Sequence, residues 1–269
     1  MTVMRIAVYM PDSRFKADSR FRAMADALAS CELYEAPFAG ELREGTDILM
    51  SIGGDGTYLS AGEMACRSGI PVLGVNFGRL GFLSDCPPDR VAHALLSGSY
   101  VIEDREVLSS SLNGGAPQYA LNEIAVTRYG AAMLGVDVKV GDESLPTYWA
   151  DGLLVATSSG STAYSLSVGG PICTPDSPVI IIAPIAPHNL NVRPLIVPSS
   201  SSLTISFRSR EAEVMVSHDT RHETVGRDSV ISVSVAQFSL RRVRLPETNF
   251  IGALKSKLFW GEDVRNGVL

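Results

Sequence analysis

The chain is expected to fold as an α/β N-terminal domain on a Rossmann-like parallel sheet, then an all-β, sandwich-like C-terminal domain. A C-terminal helix should pack back on the first domain. Three observations predict this. Strand-like and helix-like segments alternate up to about residue 100, the pattern of a parallel sheet covered by helices. Beyond that point apolar residues recur with period two between turn residues, as in a sandwich. The last apolar segment returns to helical spacing. The expected domains are residues 1–100, 101–249 and 250–269.

Taken in order, Arg5–Met10 reads as a short apolar strand and Phe21–Ala29 as a helix of small and apolar residues. Asp47–Ile52 is a buried strand, Tyr58–Arg67 a helix closed by Gly69, and Pro71–Asn76 a third strand. Asp89–Leu96 reads as a helix, with Val91 and Leu95 one turn apart and Gly98 closing it. In the second half, Leu108–Leu112, Glu123–Arg128, Val136–Val140, Gly152–Thr157, Leu203–Arg208, Glu213–Ser217 and Ser229–Val235 read as strands. Gly141-Asp142 and clusters of Pro, Ser and Asn supply the turns. In Phe250–Trp260, residues Phe250, Leu254 and Leu258 share one helical stripe.

Composition narrows the function. Of 269 residues, 45% are hydrophobic and 19% charged, globular values for a chain long enough to bury a core without staples. A net charge of −6 argues against nucleic acid as the main partner, while leaving room for a small anion on backbone amides. The cysteines Cys31, Cys66, Cys86 and Cys173 form no CxxC pair and no zinc-ligand spacing, so they read as reduced thiols. The segment Met1–Met10, ended by Pro11 and Asp12, lacks the apolar core of a signal peptide. The longest apolar run, Val179–Ala183, is far short of a membrane span. A soluble, cytoplasmic protein is expected.

Three segments carry chemistry. Gly53-Gly54-Asp55-Gly56-Thr57 follows an apolar strand and opens a helix. Glycines there let a phosphate approach the backbone, and the helix N-terminus adds free N–H donors. No Gly-Lys-Ser/Thr follows, so this is not a P-loop, and it does not match the dinucleotide GxGxxG either. Read blandly, it is a tight turn with Thr57 as N-cap. Against that, Asp55 places a base where phosphates would sit. The second segment, Asp151-Gly152 and then Gly160–Pro171, surrounds Tyr164 with small and hydroxyl residues. Tyr164 is either an aromatic face for a base or a core side chain. The third, Asn122-Glu123, starts a strand, where neighbours point to opposite faces unless the backbone bends. His188 is either loop-structural or ligand-facing. Of Arg20, Arg22, Arg79 and Arg193, Arg79 just after a strand end is the strongest phosphate candidate.

Together these segments, with Leu80-Gly81-Phe82-Leu83 and 183–194, make the chain resemble the NAD kinase family from Ile6 to Gly261. The glycine–aspartate motif alone is shared with diacylglycerol-type lipid kinases and related to that of phosphofructokinases. Thr-Ala-Tyr followed by Gly-Gly-Pro is much more specific to NAD kinases. The resemblance implies an α/β domain and a β-sandwich domain with the active site between them. It implies transfer of a phosphoryl group from ATP or polyphosphate to the 2′-hydroxyl of the adenosine ribose of NAD, giving NADP, with Mg²⁺ or another divalent cation. Asp55 matches the proton acceptor. Gly53, Gly54, Gly56 and Thr57 match the phosphate-binding turn, and Asp55 and Gly56 also count among the NAD contacts. Asn122 and Glu123 match residues at the adenosine ribose. Thr162, Tyr164 and Ser167, with Ala163, Ser165 and Leu166 beside them, match the adenine surroundings. Asp151 matches a residue near the nicotinamide, and Ala186 a backbone contact. A homodimer or homotetramer whose NAD site borrows from a neighbouring subunit is implied as well. The chain departs from the family in Ser158-Ser159, where many members have Pro-Thr, and in Asp219-Thr220-Arg221, where many have Asp-Gly-Gln. A lipid kinase and a non-catalytic NAD(P)-binding module are the rival readings. The first is disfavoured by the polar, small residues 158–170, the second by the carboxylate of Asp55.

Overall fold

The structure, a computed structural model, describes residues 3–78 and 81–260. Arg79 and Leu80 lie outside them, as does the end of the C-terminal segment. The chain divides into two compact units, residues 1–103 with 241–269, and residues 104–240.

The first unit is an α/β layer. Its elements in order are β1 (Arg5–Tyr9), α1 (Ser19–Ala27), β2 (Glu32–Glu35), β3 (Ile48–Ile52), α2 (Asp55–Ala65), β4 (Val72–Val75), α3 (Pro88–Ser97) and β5 (Val101–Arg105). Strands β1, β3 and β4 are short apolar runs, and β3 and β4 are buried along their whole length, as strands covered on both faces must be. Pairing is parallel between β2 and β1, β1 and β3, and β3 and β4. Ile6, Val8, Ile48, Met50, Ile52, Leu73 and Val75 pack with Met24 and Leu28 from the α1 region and with Val91, Ala94 and Leu95 of α3.

The second unit holds β6 (Leu108–Leu112), β7 (Gln118–Ala120), β8 (Glu123–Arg128), β9 (Leu134–Val140), β10 (Glu143–Ser144), β11 (Tyr148–Ala150), β12 (Gly152–Thr157), α4 (Tyr164–Ser167), β13 (Val179–Ile185), β14 (Leu195–Pro198), β15 (Leu203–Arg208), β16 (Glu213–His218), β17 (Arg221–Gly226) and β18 (Val230–Val235). Two antiparallel sheets form, β10-β9-β15-β18-β6-β7 with β11 beside β9, and β14-β13-β12-β8-β16-β17. Alternate residues of both, among them Leu134, Val136, Ile205 and Val233 from one and Ile124, Val126, Leu153, Ile180 and Ile182 from the other, share a single core.

Two elements then rejoin the first unit. β19 (Leu240–Arg244) pairs parallel with β4, Arg242 opposite Val72, and completes the order β2-β1-β3-β4-β19-β5. In sequence this segment falls among residues assigned to the sandwich, because Leu-Arg-Arg-Val-Arg does not look like a buried strand. Arg242 is nevertheless only 4% exposed, and it is paired with Asp85 at 2.8 Å. α5 (Phe250–Leu258) follows, capped by Asn249 Oδ1 accepting from the Gly252 N–H. It buries Leu254 and sets Phe250 against Phe82 at 6.4 Å between ring centroids.

Candidate functional site

The first group of residues forms where the strand order reverses. From β1 the chain moves outward through α1 to β2, while β3 lies on the other side of β1 and leads through α2 to β4. The carboxyl ends of strands at such a switch point are where open α/β sheets bind ligands. The glycine turn is the carboxyl end of β3. Gly53 has φ +152°, and a Cβ there would fall 2.4 Å from Thr57 Oγ1, so no other residue fits. Cβ atoms at Gly54 and Gly56 would meet nothing within 4 Å. Helix α2 begins at Asp55, with Gly54 in the N-cap position and no side-chain cap. Thr57 lies inside the first turn, so it is not the N-cap. The turn therefore presents a helix N-terminus without a side chain over it.

Asp55 is the acid in that first turn. Its carboxylate is held by a loop 27 or more residues away. Oδ2 accepts the Phe82 N–H at 2.9 Å, and Oδ1 accepts the N–H groups of Leu83 at 3.1 Å and Ser84 at 2.8 Å. The Ser84 hydroxyl donates to the Gly53 carbonyl at 2.6 Å, tying the loop to the turn. Gly81 permits this approach, since a Cβ there would lie 1.8 Å from Asp55 Oδ1. A carboxylate offers about four lone-pair positions. Three are occupied by these amides, and the one left is on Oδ2.

The second group sits in the sandwich unit and is organised by a residue that sequence reasoning missed. Asp219 occupies a two-residue turn between β16 and β17 with φ +51°. Its carboxylate accepts the N–H groups of Leu121 at 2.7 Å, Asn122 at 2.8 Å and Glu123 at 3.1 Å, which fixes the entry to β8. Its signal was an acidic residue at a tight hairpin, where Asp tolerates a left-handed backbone. Asn122 Oδ1 and Glu123 Oε2 are buried acceptors without a partner. Burial, and secondarily the nearby Asp219 carboxylate, push the Glu123 carboxyl from its ordinary 4.5 to about 8. The amide of Tyr164 opposes that rise through a hydrogen bond to Glu123, linking the Asn122-Glu123 pair to the Tyr164 segment.

That segment is a 3₁₀ turn over Ser159–Thr162 followed by the single turn α4. Ser161 and Ser165 are fully buried, while Tyr164 is 40% exposed. Tyr164 is therefore not a core side chain. Thr162, Ala163 and Leu166 are half-buried and Ser167 exposed. Asp151 pairs with Arg128 at 2.7 Å, and its N–H donates to the Ile185 carbonyl at the end of β13. Just beyond, Ala186 has φ +46°, a strained value for alanine. His188 is exposed, with its N–H on the Trp149 carbonyl at 2.9 Å.

Of the arginine candidates, the three among the described residues have other occupations. Arg20 pairs with Asp18 at 2.7 Å and lies over Phe77, Arg22 donates to the Ala17 carbonyl, and Arg193 to that of Leu190. Arg221, left without a role in sequence, donates to the Tyr119 carbonyl. His218, buried against Ser110 Oγ at 2.6 Å, has its pKa lowered to about 4 by desolvation and is neutral. All four cysteines are free thiols.

Residues 10–99 match the family model described as the ATP-NAD kinase N-terminal domain, and residues 121–245 the one described as the ATP-NAD kinase C-terminal domain. The chain is 39% identical over 235 residues to the NAD kinase of Flavobacterium psychrophilum, covering 84% of this chain and 80% of that one. Against the NAD kinase of Porphyromonas gingivalis it is 43% identical over 229 residues, covering 83% and 80%. Among solved structures, an NAD kinase from Archaeoglobus fulgidus in complex with ATP superposes with a TM-score of 0.78 at 28% identity, covering 94% of this chain and 99% of that one. A yeast NADH kinase complexed with NADH superposes with a TM-score of 0.84 at 24% identity, covering 97% and 89%, a likeness of fold.

Proposed function

The chain belongs to the NAD kinase family of enzymes, and on that premise we propose that it phosphorylates the 2′-hydroxyl of the adenosine ribose of NAD, with ATP or another phosphoryl donor, to give NADP. The observation that carries this reading is the pairing of an open glycine turn with a carboxylate that has one lone pair to spare. A ribose hydroxyl is a poor nucleophile until its proton is drawn away. Asp55 Oδ2 takes that proton as the oxygen attacks phosphorus. Backbone amides at Gly54, Gly56 and Thr57 face the phosphoryl oxygens, while the Gly53 N–H is taken by the Val75 carbonyl at 3.0 Å and Gly53 serves by its backbone shape. Little else is required, because phosphoryl transfer depends on positioning and charge stabilisation.

Asn122 Oδ1 is a buried acceptor awaiting a donor, and the Glu123 carboxyl, which holds its proton below about pH 8, can donate or accept, which suits ribose hydroxyls. Tyr164, exposed and set among Thr162, Ala163, Ser165, Leu166 and Ser167, offers the adenine a face. Asp151 serves the nicotinamide end, and Ala186 contributes a backbone contact.

Among the described residues no three His, Cys, Asp or Glu side chains converge on a point that would hold an ion. We read Mg²⁺ or another divalent cation as carried mainly on the donor's phosphates. When bound, such a cation neutralises charge on the phosphoryl oxygens.

We further read the active form as a cytoplasmic homodimer or homotetramer. β14 is an edge strand with Leu195 37% and Ile196 46% exposed and no charged residue, the kind of edge that another subunit covers. No helix among the described residues is long and apolar enough to cross a membrane.

Incubation with ATP, Mg²⁺ and NAD tests the reading. NADP formation is expected. Turnover of a diacylglycerol and not of NAD would favour the lipid kinase, and binding without turnover a dinucleotide-binding module.

A further inference from the structure

We infer that Lys257 is a positioning residue for Asp55, acting from the C-terminal helix through the peptide group whose amide holds the carboxylate. This rests on the reading of Asp55 as the base. The peptide joining Gly81 to Phe82 gives its N–H to Asp55 Oδ2 at 2.9 Å, while its carbonyl accepts from Lys257 Nζ. The next peptide, joining Phe82 to Leu83, gives its N–H to Asp55 Oδ1 at 3.1 Å, while its carbonyl accepts from Arg242 Nη2 at 3.4 Å. A trans peptide is planar with its N–H and C=O pointing in opposite directions. Each of these two groups is thus strung between a carboxylate and a cation, and each bond polarises the other.

The two cations differ in their other duties. Arg242 is buried and also holds Asp85 and Glu103. Its removal would leave a hole at a buried guanidinium and take a partner from two half-buried carboxylates, so its loss would report on folding. Lys257 is half-buried, with its ammonium 4.9 Å from the centroid of the Phe82 ring, which itself packs on Phe250. The charges facing it are Asp85, Asp55 and Arg242. Desolvation lowers its pKa, the two carboxylates oppose that, and Arg242 adds to it. Gly81 completes the device, because only a residue without a Cβ lets the loop close on Asp55. α5 is in this way part of the catalytic apparatus, although its residues lie some 200 positions beyond Asp55.

The test compares Lys257→Met, which keeps the stem over Phe82 without the charge, Lys257→Arg, which keeps a cation, and Lys255→Met on the exposed side of the same helix. Lys257→Met should lower kcat about tenfold or more with KM for NAD changed less than about twofold, as expected when a reacting group is slightly misplaced. Hydrogen exchange at the Phe82 amide should quicken. Lys257→Arg should recover most of the loss, and Lys255→Met should match the parent. In an Asp55→Asn background, Lys257→Met should cost little more, since both act on one group. Wild-type kcat in Lys257→Met overturns the inference. So does a loss that Lys257→Arg does not repair, that tracks the melting temperature, and that leaves Phe82 exchange unchanged. If the parent protein forms no NADP, the functional reading fails on its own. Phe82 exchange then still decides whether Lys257 holds that amide on Asp55, and unchanged exchange overturns it.

Discussion

The residues that matter most differ in how local their chemistry is. Asp55 was legible because the strand, the glycines and the helix start that define it are contiguous. Asp219 was not, since its work is to hold amides almost 100 positions earlier, and nothing in Asp-Thr-Arg announces those partners. Asp55→Asn should keep fold and NAD binding while losing kcat by about 10²–10⁴-fold, the usual range for a general base. Steady-state kinetics beside calorimetric titration would show it, and a variant with more than about a third of parental kcat would remove Asp55 from that role. Glu123 supplies a pH test. Its folded-state pKa of about 8 lies above its ordinary 4.5, so the folded protein holds a proton that the unfolded chain releases in between. Its stabilising contribution is full below pH 4.5 and lost as pH rises through 8. Glu123→Gln, which mimics the protonated acid, should flatten the fall in melting temperature across that window. It should be the more stable protein at pH 8 by an amount on the order of 1 kcal/mol, discounted for water reaching the partly exposed carboxyl. An unchanged profile would show that the carboxyl is not desolvated. Tyr164→Ala, at an exposed site, should weaken NAD binding by on the order of 1 kcal/mol without moving the melting temperature.

At the scale of elements, apolar periodicity showed the parallel strands and most of the sandwich, because burial on one or both faces writes itself into the sequence. It failed at several strands, among them β13, β2 and β19, for different reasons. β19 hides Arg242 in an ion pair, and β2, with Glu32 and Glu35 at its ends, is an edge strand whose pattern is broken by charge. The start of α2 was misplaced by three residues, since a glycine N-cap gives no polar cue. The segment Leu80-Gly81-Phe82-Leu83 resembles the family in sequence, yet the grip of the Phe82, Leu83 and Ser84 amides on Asp55 is visible only in three dimensions. Gly81→Ala puts a methyl group onto the carboxylate. Its kcat should fall toward that of Asp55→Asn, with a melting temperature close to the parent. Retained kcat would mean that the loop's grip on Asp55 is dispensable.

For the whole molecule, the proposed reading divides the work between the two units, phosphate and base chemistry in the first and nucleoside recognition in the second. The exposed, uncharged edge at β14 leads us to expect an oligomer. Light scattering across a dilution series, with specific activity at each step, should show activity falling as the assembly dissociates. A monomer with full activity throughout would refute the expectation. If Asp151 completes a neighbour's site, mixing Asp55→Asn with Asp151→Asn chains should restore part of the activity, and no recovery after confirmed subunit exchange would place both in one subunit's site. The most direct measurement of the central claim is product formation from NAD, ATP and Mg²⁺ by the parent protein and by Asp55→Asn side by side, read with a dehydrogenase that accepts only NADP. The account predicts NADP from the parent and at least a hundredfold less from the variant. No NADP from the parent, or equal rates from both, would contradict it.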